Sequence, residues 1–417
     1  MKTFPPAARP LITAALSMSA FLALAQSAPA PAASSATPAS AEKPYKILQT
    51  TQIPAAGGID YVTADTANRR VFVACGNVVS AFDLDTFKLV GSLPNASGHG
   101  VALDPDNHTG LVSGTSAVLF NTQTMEPIKS GIQARGADGY IFDPATHHFI
   151  ILSHNAPNLH VFDSKDGSEV GTVDAIGLDG KNAAVEQGAS DGQGTLYFDC
   201  EDEGCIAVVD AKTLKVTGHY DLGEKGSGCA GLALDTKNHI LFAMCRGSGA
   251  SGGPTCVILS ATDGKIITTL PLAGSSDGGG FNPNTMEAFS SHGNGTLSVI
   301  KEKSPTEFVL EDTVQTKSGG KTCTVDTKLN HVVVITTEAA PVPAAAAASA
   351  SASAPAASAS VPAASAAPAM ASASAAASAG SAGAVASAGP RGSAGGRAGG
   401  GRGARGPQLL DVIFIGR

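Results

Sequence analysis

The sequence predicts an all-β fold, and three features of the 417-residue chain support this prediction. Residues 57 to 94 contain four short runs rich in Val, Ile and Phe, and polar stretches that favour turns separate them. Four such runs in succession are typical of an antiparallel meander. The pattern returns every 39 to 48 residues up to Glu338, a period typical of propellers, and a detached apolar run, LLDVIFIGR, follows near residue 410. Together these features predict a seven-bladed β-propeller of four-stranded antiparallel blades.

The first 43 residues are predicted to lie outside the propeller. Residues 1 to 25 have the pattern of a secretory signal, with Lys2 and Arg9 ahead of the apolar stretch LITAALSMSAFLAL and an Ala-Leu-Ala cleavage site. An uncleaved anchor is the alternative, but the apolar stretch is short for a membrane span. Residues 26 to 43 form an Ala/Pro/Ser-rich linker. We therefore expect a periplasmic or secreted protein with no membrane span after signal removal.

Seven repeats align on the polar residue that ends the first strand of each unit. These anchors are Asp65, Asp104, Asp143, Asp191, Asp235, Asn282 and Asp326. A second set ends the third strand of units one to five: Asp83, Asn121, Asp163, Asp210 and Ser260. A fourth apolar run follows each residue of this second set, so units one to five are each predicted to form a complete blade.

The seventh unit has only two strands before the composition changes. Residues 44 to 338 form the predicted propeller segment, and residues 339 to 407 are a low-complexity Ala/Ser/Gly/Pro/Arg insertion. Residues 408 to 417 match a third strand, and YKILQTTQIP, at the start of the propeller segment, matches the missing fourth strand. We predict that these two strands pair and close the last blade, which removes exposed sheet edges. The alternative is that everything beyond Glu338 is a disordered tail.

Charge is unevenly distributed along the chain. Residues 42 to 338 carry 34 acidic and 20 basic side chains, a net of −14; residues 1 to 41 add +2 and residues 339 to 417 add +4, which gives −8. An acidic body repels phosphate backbones, so no nucleic acid is expected for the propeller. Four arginines of the insertion resemble an RGG tract, but we interpret them as a basic linker attracted to the acidic body: Arg391, Arg397, Arg402 and Arg405.

Seven cysteines in an exported chain favour disulfides, and the odd number leaves at least one thiol unpaired. We predict a Cys229–Cys245 disulfide between adjacent strands and a Cys200–Cys205 disulfide across a tight loop. The other three cysteines stay unassigned, and none of the spacings is a zinc pattern.

Several blade segments resemble the YVTN-repeat, YncE-like seven-bladed propellers of exported bacterial and archaeal proteins. The resemblance is carried by GGIDYVTAD, HGVALDPDNHTG, NLHVFDSKDGSEVGTV, CIAVVDAKTLKVTGHYDL, CAGLALDTKNHILFAMC, SSHGNGTLSVIKEKSP and the terminal DVIFIGR. The long insertion and the irregular segment from Ala183 to Gly188 depart from it. The resemblance implies the fold but leaves the function open, because propellers host hydrolases, redox partners and interaction scaffolds.

The first strand of each blade is expected to line the channel, so one position of each repeat forms a ring. Five residues before the anchors lie Asp60, His99, Asp138, Glu186, Ala230, Asp277 and Lys321, and all except Ala230 are ionisable. We predict that these six form a ligand-binding channel mouth. The five apart from Lys321 are candidate metal ligands, and an oxygen-rich set with one His suits Ca²⁺, Mg²⁺ or Mn²⁺. The alternative is that a water-filled mouth simply accommodates polar side chains.

Other polar residues divide between the two faces. Loops between second and third strands emerge on the face of the predicted ring and carry Asn77, His154, Asn155, Glu201, Asp202, Glu203, Arg246, His292 and Asn294. Histidines of the opposite-face turns are interpreted as structural: His108, His147, His148, His239 and His331.

Two classes of function survive. The favoured one is a monomeric binding or interaction scaffold that takes an unknown protein or small-molecule ligand in its central funnel, with no catalytic residue. The alternative is a metal-assisted hydrolase or lactonase-like enzyme that uses the ring of carboxylates. No cofactor is predicted apart from the divalent cation considered above.

Overall fold

The computed structural model describes residues 43–247, 252–341 and 407–417. The predicted signal, all but the last residue of the linker and most of the insertion lie outside the described residues. The described chain forms seven four-stranded antiparallel sheets, the blades of a β-propeller, which confirms the predicted fold class. Within the described ranges, no helix is long and apolar enough to cross a membrane.

Blades 1 to 6 each use four consecutive strands, ordered from the channel outwards. Blade 1 contains β2 (Ile59–Asp65), β3 (Arg70–Cys75), β4 (Val78–Asp83) and β5 (Leu89–Pro94). Blade 2 contains β6 (Val101–Asp104), β7 (Thr109–Val112), β8 (Ser116–Asn121) and β9 (Pro127–Gln133). Blade 3 contains β10 (Ala137–Asp143), β11 (His148–Ser153), β12 (Leu159–Asp163) and β13 (Glu169–Val173).

The next three blades follow the same plan. Blade 4 contains β14 (Val185–Ser190), β15 (Thr195–Cys200), β16 (Cys205–Asp210) and β17 (Lys215–Asp221). Blade 5 contains β18 (Cys229–Asp235), β19 (Ile240–Cys245), β20 (Thr255–Ser260) and β21 (Ile266–Pro271). Blade 6 contains β22 (Ser276–Asn282), β23 (Glu287–His292), β24 (Thr296–Ser304) and β25 (Glu307–Gln315).

Blade 7 joins the two ends of the propeller. Its order from the channel outwards is β26 (Cys323–Asp326), β27 (His331–Ala339), β28 (Gln408–Gly416) and β1 (Lys46–Pro54). Strand β28 pairs antiparallel with β27 on one side and with β1 on the other, which confirms the predicted closure. Past the end of the ladder, the Ala340 N–H donates to the Pro407 carbonyl at 2.8 Å, so the insertion leaves and re-enters the blade at adjacent points.

The core lies between the blades. Seven clusters of buried apolar side chains occur, one at each contact between neighbouring blades, including the contact of blade 7 with blade 1. Their largest fully buried members are phenylalanines of second and third strands: Phe72, Phe82, Phe120, Phe149, Phe162, Phe198, Phe242, Phe289 and Phe414. Both faces of these strands are therefore covered, as their continuous apolar sequences require.

The anchor residues fix turns and tie neighbouring blades. Asp104 accepts backbone N–H groups of its own turn with one oxygen and the Ser164 hydroxyl of blade 3 with the other, at 2.6 Å. Asp143 similarly accepts the Ser190 hydroxyl of blade 4 at 2.6 Å. In blade 4 the strand ends one residue earlier than predicted, so Asp191 lies just beyond β14.

The turns before the second strands require a left-handed residue. His108, His147 and His239 fill this position with φ of 53°, 55° and 55°. A non-glycine residue tolerates this conformation only at some cost in energy, and turns that fix it with side-chain hydrogen bonds offset that cost. These histidines therefore serve the opposite-face turns.

The cysteines divide into one disulfide and five thiols in the described chain. Cys229 and Cys245 form the predicted disulfide between β18 and β19. The predicted Cys200–Cys205 disulfide is wrong, because both residues are free thiols. They are direct cross-strand partners at the tip of the β15–β16 hairpin, and their sulfur atoms lie within 4.8 Å of each other.

Replacing residues 342–406 with a four-residue turn is expected to leave the propeller folded, because Ala340 and Pro407 already lie side by side. The change shortens the loop between β27 and β28 about 16-fold, which corresponds to halving the loop length four times. Each halving reduces the loop-closure cost by about 0.6 kcal/mol, so the free energy of unfolding should rise by roughly 2 kcal/mol in urea titrations.

Deleting residues 408–417 is the matched comparison. This deletion removes five fully buried side chains, Leu410, Val412, Ile413, Phe414 and Ile415. Each is worth about 1.5–3 kcal/mol, so the sum rivals the total stability of a typical domain, about 5–15 kcal/mol. Cooperative unfolding of the deleted chain would show that β28 is dispensable and would contradict the closure argument.

Candidate functional site

The structure brings all six predicted channel-mouth residues to one end of the channel and adds two side chains to them. In order round the channel the eight members are Asp60, His99, Asp138, His154, Glu186, Arg246, Asp277 and Lys321. Acidic and basic members alternate, and every basic side chain contacts the carboxylates on both sides. We call this closed set the mouth ring.

Two histidines link the carboxylates of blades 1, 3 and 4. The Nδ1 atom of His99 lies 2.9 Å from Asp60 and 3.3 Å from Asp138. The Nε2 atom of His154 lies 3.2 Å from Asp138 and 3.7 Å from Glu186. Asp138 is therefore shared by both imidazoles.

Arg246 occupies the place that Ala230 leaves in the ring. It follows the last residue of β19, and its guanidinium lies between Glu186 and Asp277. One nitrogen contacts Glu201 and lies 3.5 Å from Glu186, while the other lies 3.1 Å from Asp277. A loop cation thus replaces the missing inner-strand residue of blade 5.

Lys321 closes the mouth ring between blades 6 and 1. Its ammonium lies 3.3 Å from Asp60 and 3.7 Å from Asp277. It comes two residues before β26, at the entry to the first strand of blade 7.

Burial and charge act differently on the acidic members. Burial raises the pKa of Glu186 to about 9, and the neighbouring Arg246 offsets only part of the effect. Burial also raises the pKa of Asp138. Burial opposes ionisation of Asp60 as well, but the hydrogen bond from His99 and the charge of Lys321 outweigh it, so the pKa of Asp60 is lowered. Glu186 therefore carries a proton at neutral pH, whereas Asp60 is ionised.

The basic members are stabilised in their charged forms. The hydrogen bond to Asp60 raises the pKa of His99 above its ordinary value. For Lys321, burial lowers the pKa, but the carboxylates of Asp60 and Asp277 outweigh burial and raise it. At neutral pH the ring therefore holds protons on Glu186 and Lys321.

A fully buried carboxyl lies behind the ring, on β15. One oxygen of Asp199 accepts the N–H groups of Glu186 at 3.1 Å and Gln187 at 2.7 Å, and its other oxygen has no partner within the described ranges. Burial raises the pKa of Asp199 to about 8. These bonds hold the start of β14, where the pairing register shifts between Val185 and Gly188.

Two tyrosines cross the channel below the mouth ring. The Tyr61 hydroxyl of blade 1 donates to the Glu186 carbonyl of blade 4 at 2.9 Å. Tyr140 of blade 3 shares a hydrogen bond with Thr63 of blade 1, and the two tyrosine rings meet edge to face at 5.5 Å. Position 100 requires a glycine, because a Cβ there would lie 2.2 Å from the Tyr140 ring.

Gln187 crosses the other half of the channel. Its amide nitrogen donates to the Gly279 carbonyl at 3.1 Å, and its oxygen accepts the N–H groups of Gly279 and Leu232, both at 3.0 Å. One side chain therefore ties blade 4 to blades 5 and 6. We call Tyr61, Tyr140 and Gln187 the channel brace.

Cavities lie on both sides of the brace. On the face of the mouth ring, a cavity of about 400 Å³ opens beside His99, lined by Ser97, Gly98, Gly114, Thr115, Ser116 and Ala137. At the opposite mouth, a cavity of about 450 Å³ has mainly apolar walls, including Ala64, Leu103, Ile141 and Phe142. The two ends of the channel therefore offer different chemistry.

Sequence reasoning placed His154 and Arg246 on the correct face but not in the ring. The signal for Arg246 was available, since Ala230 leaves a gap in the same blade that carries this loop arginine. His292, also expected in a loop of this face, is buried at the end of β23 and hydrogen-bonds Thr296 and Ser290. Burial lowers its pKa to about 4, so His292 is a neutral structural residue.

Comparisons with known proteins identify the fold alone. No family model matches the chain, and no curated protein matches it. The WD40 repeats of RRP9 are similar in structure with a TM-score of 0.56, at 10% identity over 70% of this chain and 90% of that chain. The structure of U3-55K gives a TM-score of 0.55 at 10% identity over the same shares, 70% and 90%. A chain of the Mitotic Checkpoint Complex gives a TM-score of 0.57 at 14% identity over 76% and 95%.

Raising the pH from 6 to 9 is expected to lower the free energy of unfolding. The pKa of Asp199 is about 8 in the folded state, above its ordinary value, so the folded protein keeps a proton that the unfolded chain has already lost. Stability therefore falls as the pH rises towards 8, by at most about 1.4 kcal/mol per pH unit for one group. Asp199→Asn keeps the acceptor oxygen and should flatten the slope measured by thermal or urea unfolding.

Glu169→Gln, on the exposed part of β13, is the control for this experiment and should keep the wild-type slope. Glu186 acts in the same direction as Asp199, so part of the slope should persist in Asp199→Asn. Identical slopes in wild type and Asp199→Asn would show that the buried carboxyl is not the titrating group.

Proposed function

We propose that the protein is an exported β-propeller of the YVTN-repeat type that acts as a binding scaffold, with a site for a cationic group in the funnel above the mouth ring. The repeat signatures support the family. The signal-like pattern of residues 1 to 25 supports export, and so does the Cys229–Cys245 disulfide, because such bonds persist in oxidising compartments.

The observation that carries the proposed site is the imbalance of charge at the mouth ring. Five carboxyl groups converge there when Glu201 is counted with the four acidic members of the ring. Arg246 and Lys321 are the two permanent cations of this set, and the two histidines complete it. An ammonium or guanidinium group that enters the funnel meets partly protonated carboxyls and can take the place of their protons.

The funnel has room for the rest of such a ligand. The cavity beside His99 adjoins the ring and carries the exposed hydroxyl groups of Thr115 and Ser116. The channel brace forms a floor, so a ligand on this face would rest on the ring instead of passing through the propeller. The ligand is either a small amine or a basic side chain of a protein partner.

A second candidate, the metal-assisted hydrolase, is favoured by one observation. One ligand atom each from Asp60, His99 and Asp138 lies within 4.8 Å of the others, and the same holds for Asp138, His154 and Glu186. These sets fit a divalent cation with oxygen-rich ligation, which would polarise a carbonyl or activate a water. His99 would then give up its hydrogen bond to Asp60 and offer Nδ1 to the metal.

Calorimetric titration of the purified protein distinguishes the two candidates. The cationic-group proposal expects binding of 1,4-diaminobutane or arginine amide, with proton release into the buffer. The Asp60→Asn and Asp277→Asn variants should each weaken this binding by at least about tenfold, since a hydrogen bond to a charged group contributes about 1.5–3 kcal/mol. Glu169→Gln, remote from the ring, should bind as the wild type does.

Stoichiometric Ca²⁺, Mg²⁺ or Mn²⁺ that is lost in Asp60→Asn and His99→Ala would favour the metal-dependent enzyme. If neither amines nor divalent cations bind, the mouth ring is a solvated structural feature and both candidates fail. Circular dichroism of each variant separates loss of binding from loss of folding.

A further inference from the structure

Two cysteines and a glutamate converge at the tip of the β15–β16 hairpin, outside the mouth ring. Cys200 and Cys205 are direct cross-strand partners, and four residues connect them. One sulfur atom from each cysteine and one carboxylate oxygen of Glu203 all lie within 4.8 Å of one another. This set shares no member with the mouth ring.

The backbone of the hairpin holds the three side chains in place. The Cys200 carbonyl accepts the N–H groups of Glu203 at 3.2 Å and Gly204 at 3.0 Å, which closes a tight turn. Gly204 has φ of 65°, a conformation that favours glycine. Asp202 accepts the Ala184 N–H at 2.9 Å and ties the tip to the preceding loop. The ligand atoms are therefore ordered in advance by the fold.

One carboxylate oxygen of Glu203 accepts a backbone hydrogen bond. Its Oε2 atom accepts the N–H of Leu178 at 2.6 Å, and this contact orients the carboxylate. Outer contacts of this kind commonly fix carboxylate ligands of metal sites. Glu203 is half-buried while both cysteines are buried, so an approach from solvent leads past the carboxylate.

The local charge favours a cation. The tip sequence DCEDEGC places three carboxyl groups beside the cysteines, at Glu201, Asp202 and Glu203, in addition to the protonated Asp199. Two thiolates and one carboxylate are ligands that Zn²⁺ and Cd²⁺ accept, whereas Ca²⁺ and Mg²⁺ prefer oxygen alone. Three protein ligands leave a fourth position for water or another group.

We propose that Cys200, Cys205 and Glu203 form a binding site for a thiophilic divalent metal ion, of the class of Zn²⁺ and Cd²⁺. Binding releases the two thiol protons and forms two metal–sulfur bonds. The ion would clamp the outer end of the hairpin, which carries Glu201 to its contact with Arg246.

Cd²⁺ or Co²⁺ titration of the reduced, metal-free full chain tests the proposal. One ion per chain should bind with thiolate-to-metal charge-transfer absorption, and the melting temperature should rise with added Zn²⁺. Cys200→Ser and Cys205→Ser should abolish the absorption. Glu203→Gln should keep weaker absorption, with affinity lowered at least about tenfold.

Cys323→Ser removes a buried thiol in blade 7 and is the control; it should keep both the absorption and the stoichiometry. Metal bound without charge-transfer absorption would place the ion at other ligands, such as the mouth ring, and would overturn the proposal. So would absence of binding to the reduced chain, or absorption that survives in the Cys200→Ser/Cys205→Ser double variant. The charge-transfer readout reports thiolates only, so its result is independent of cation binding in the funnel.

Discussion

The convergence of seven first strands on one axis is the constraint on which the rest of the structure depends. The inner strands approach so closely that Gly100 has no space for a Cβ, and the same convergence brings six ionisable side chains of different blades to one end of the channel. Removing carboxylates from water is costly unless cations accompany them. The alternation of acid and base in the mouth ring places a basic side chain on both sides of every carboxyl group.

The polar residues at the two ends of the inner strands make different kinds of contact. At one end, polar anchors such as Asp104 bind turn N–H groups and a hydroxyl of the next blade, so their hydrogen bonds are used up in holding blades together. At the other end, the ring members pair loosely and remain partly exposed. Glu186 and Asp199 hold protons there because burial outweighs the available positive charge. The anchors therefore hold neighbouring blades together, whereas the ring members stay partly exposed at the channel mouth.

The fold and much of the ring could be predicted from sequence because both follow from periodicity. A repeated anchor fixes the register of each inner strand, and counting back five residues gives Asp60 or Asp277 without any structure. Counting from the anchors does not find Arg246 and His154, because side chains of the loops do not follow the repeat period. The same count does not find the channel brace, since Tyr61 and Gln187 resemble ordinary strand residues until their partners across the channel are known. Cys200 and Cys205 are close in sequence, but proximity does not fix the relative direction of two side chains.

Blade 7 has a consequence for the order of events in folding. Its β1–β28 pairing joins Lys46 to Gly416, a separation of 370 positions along the chain. Contacts this distant form slowly because a long loop must close before they contribute. Blades 1 to 6 are each local in sequence, whereas β1 has no sheet partner until β28 is in place. We therefore expect completion of the ring to be a late step of folding.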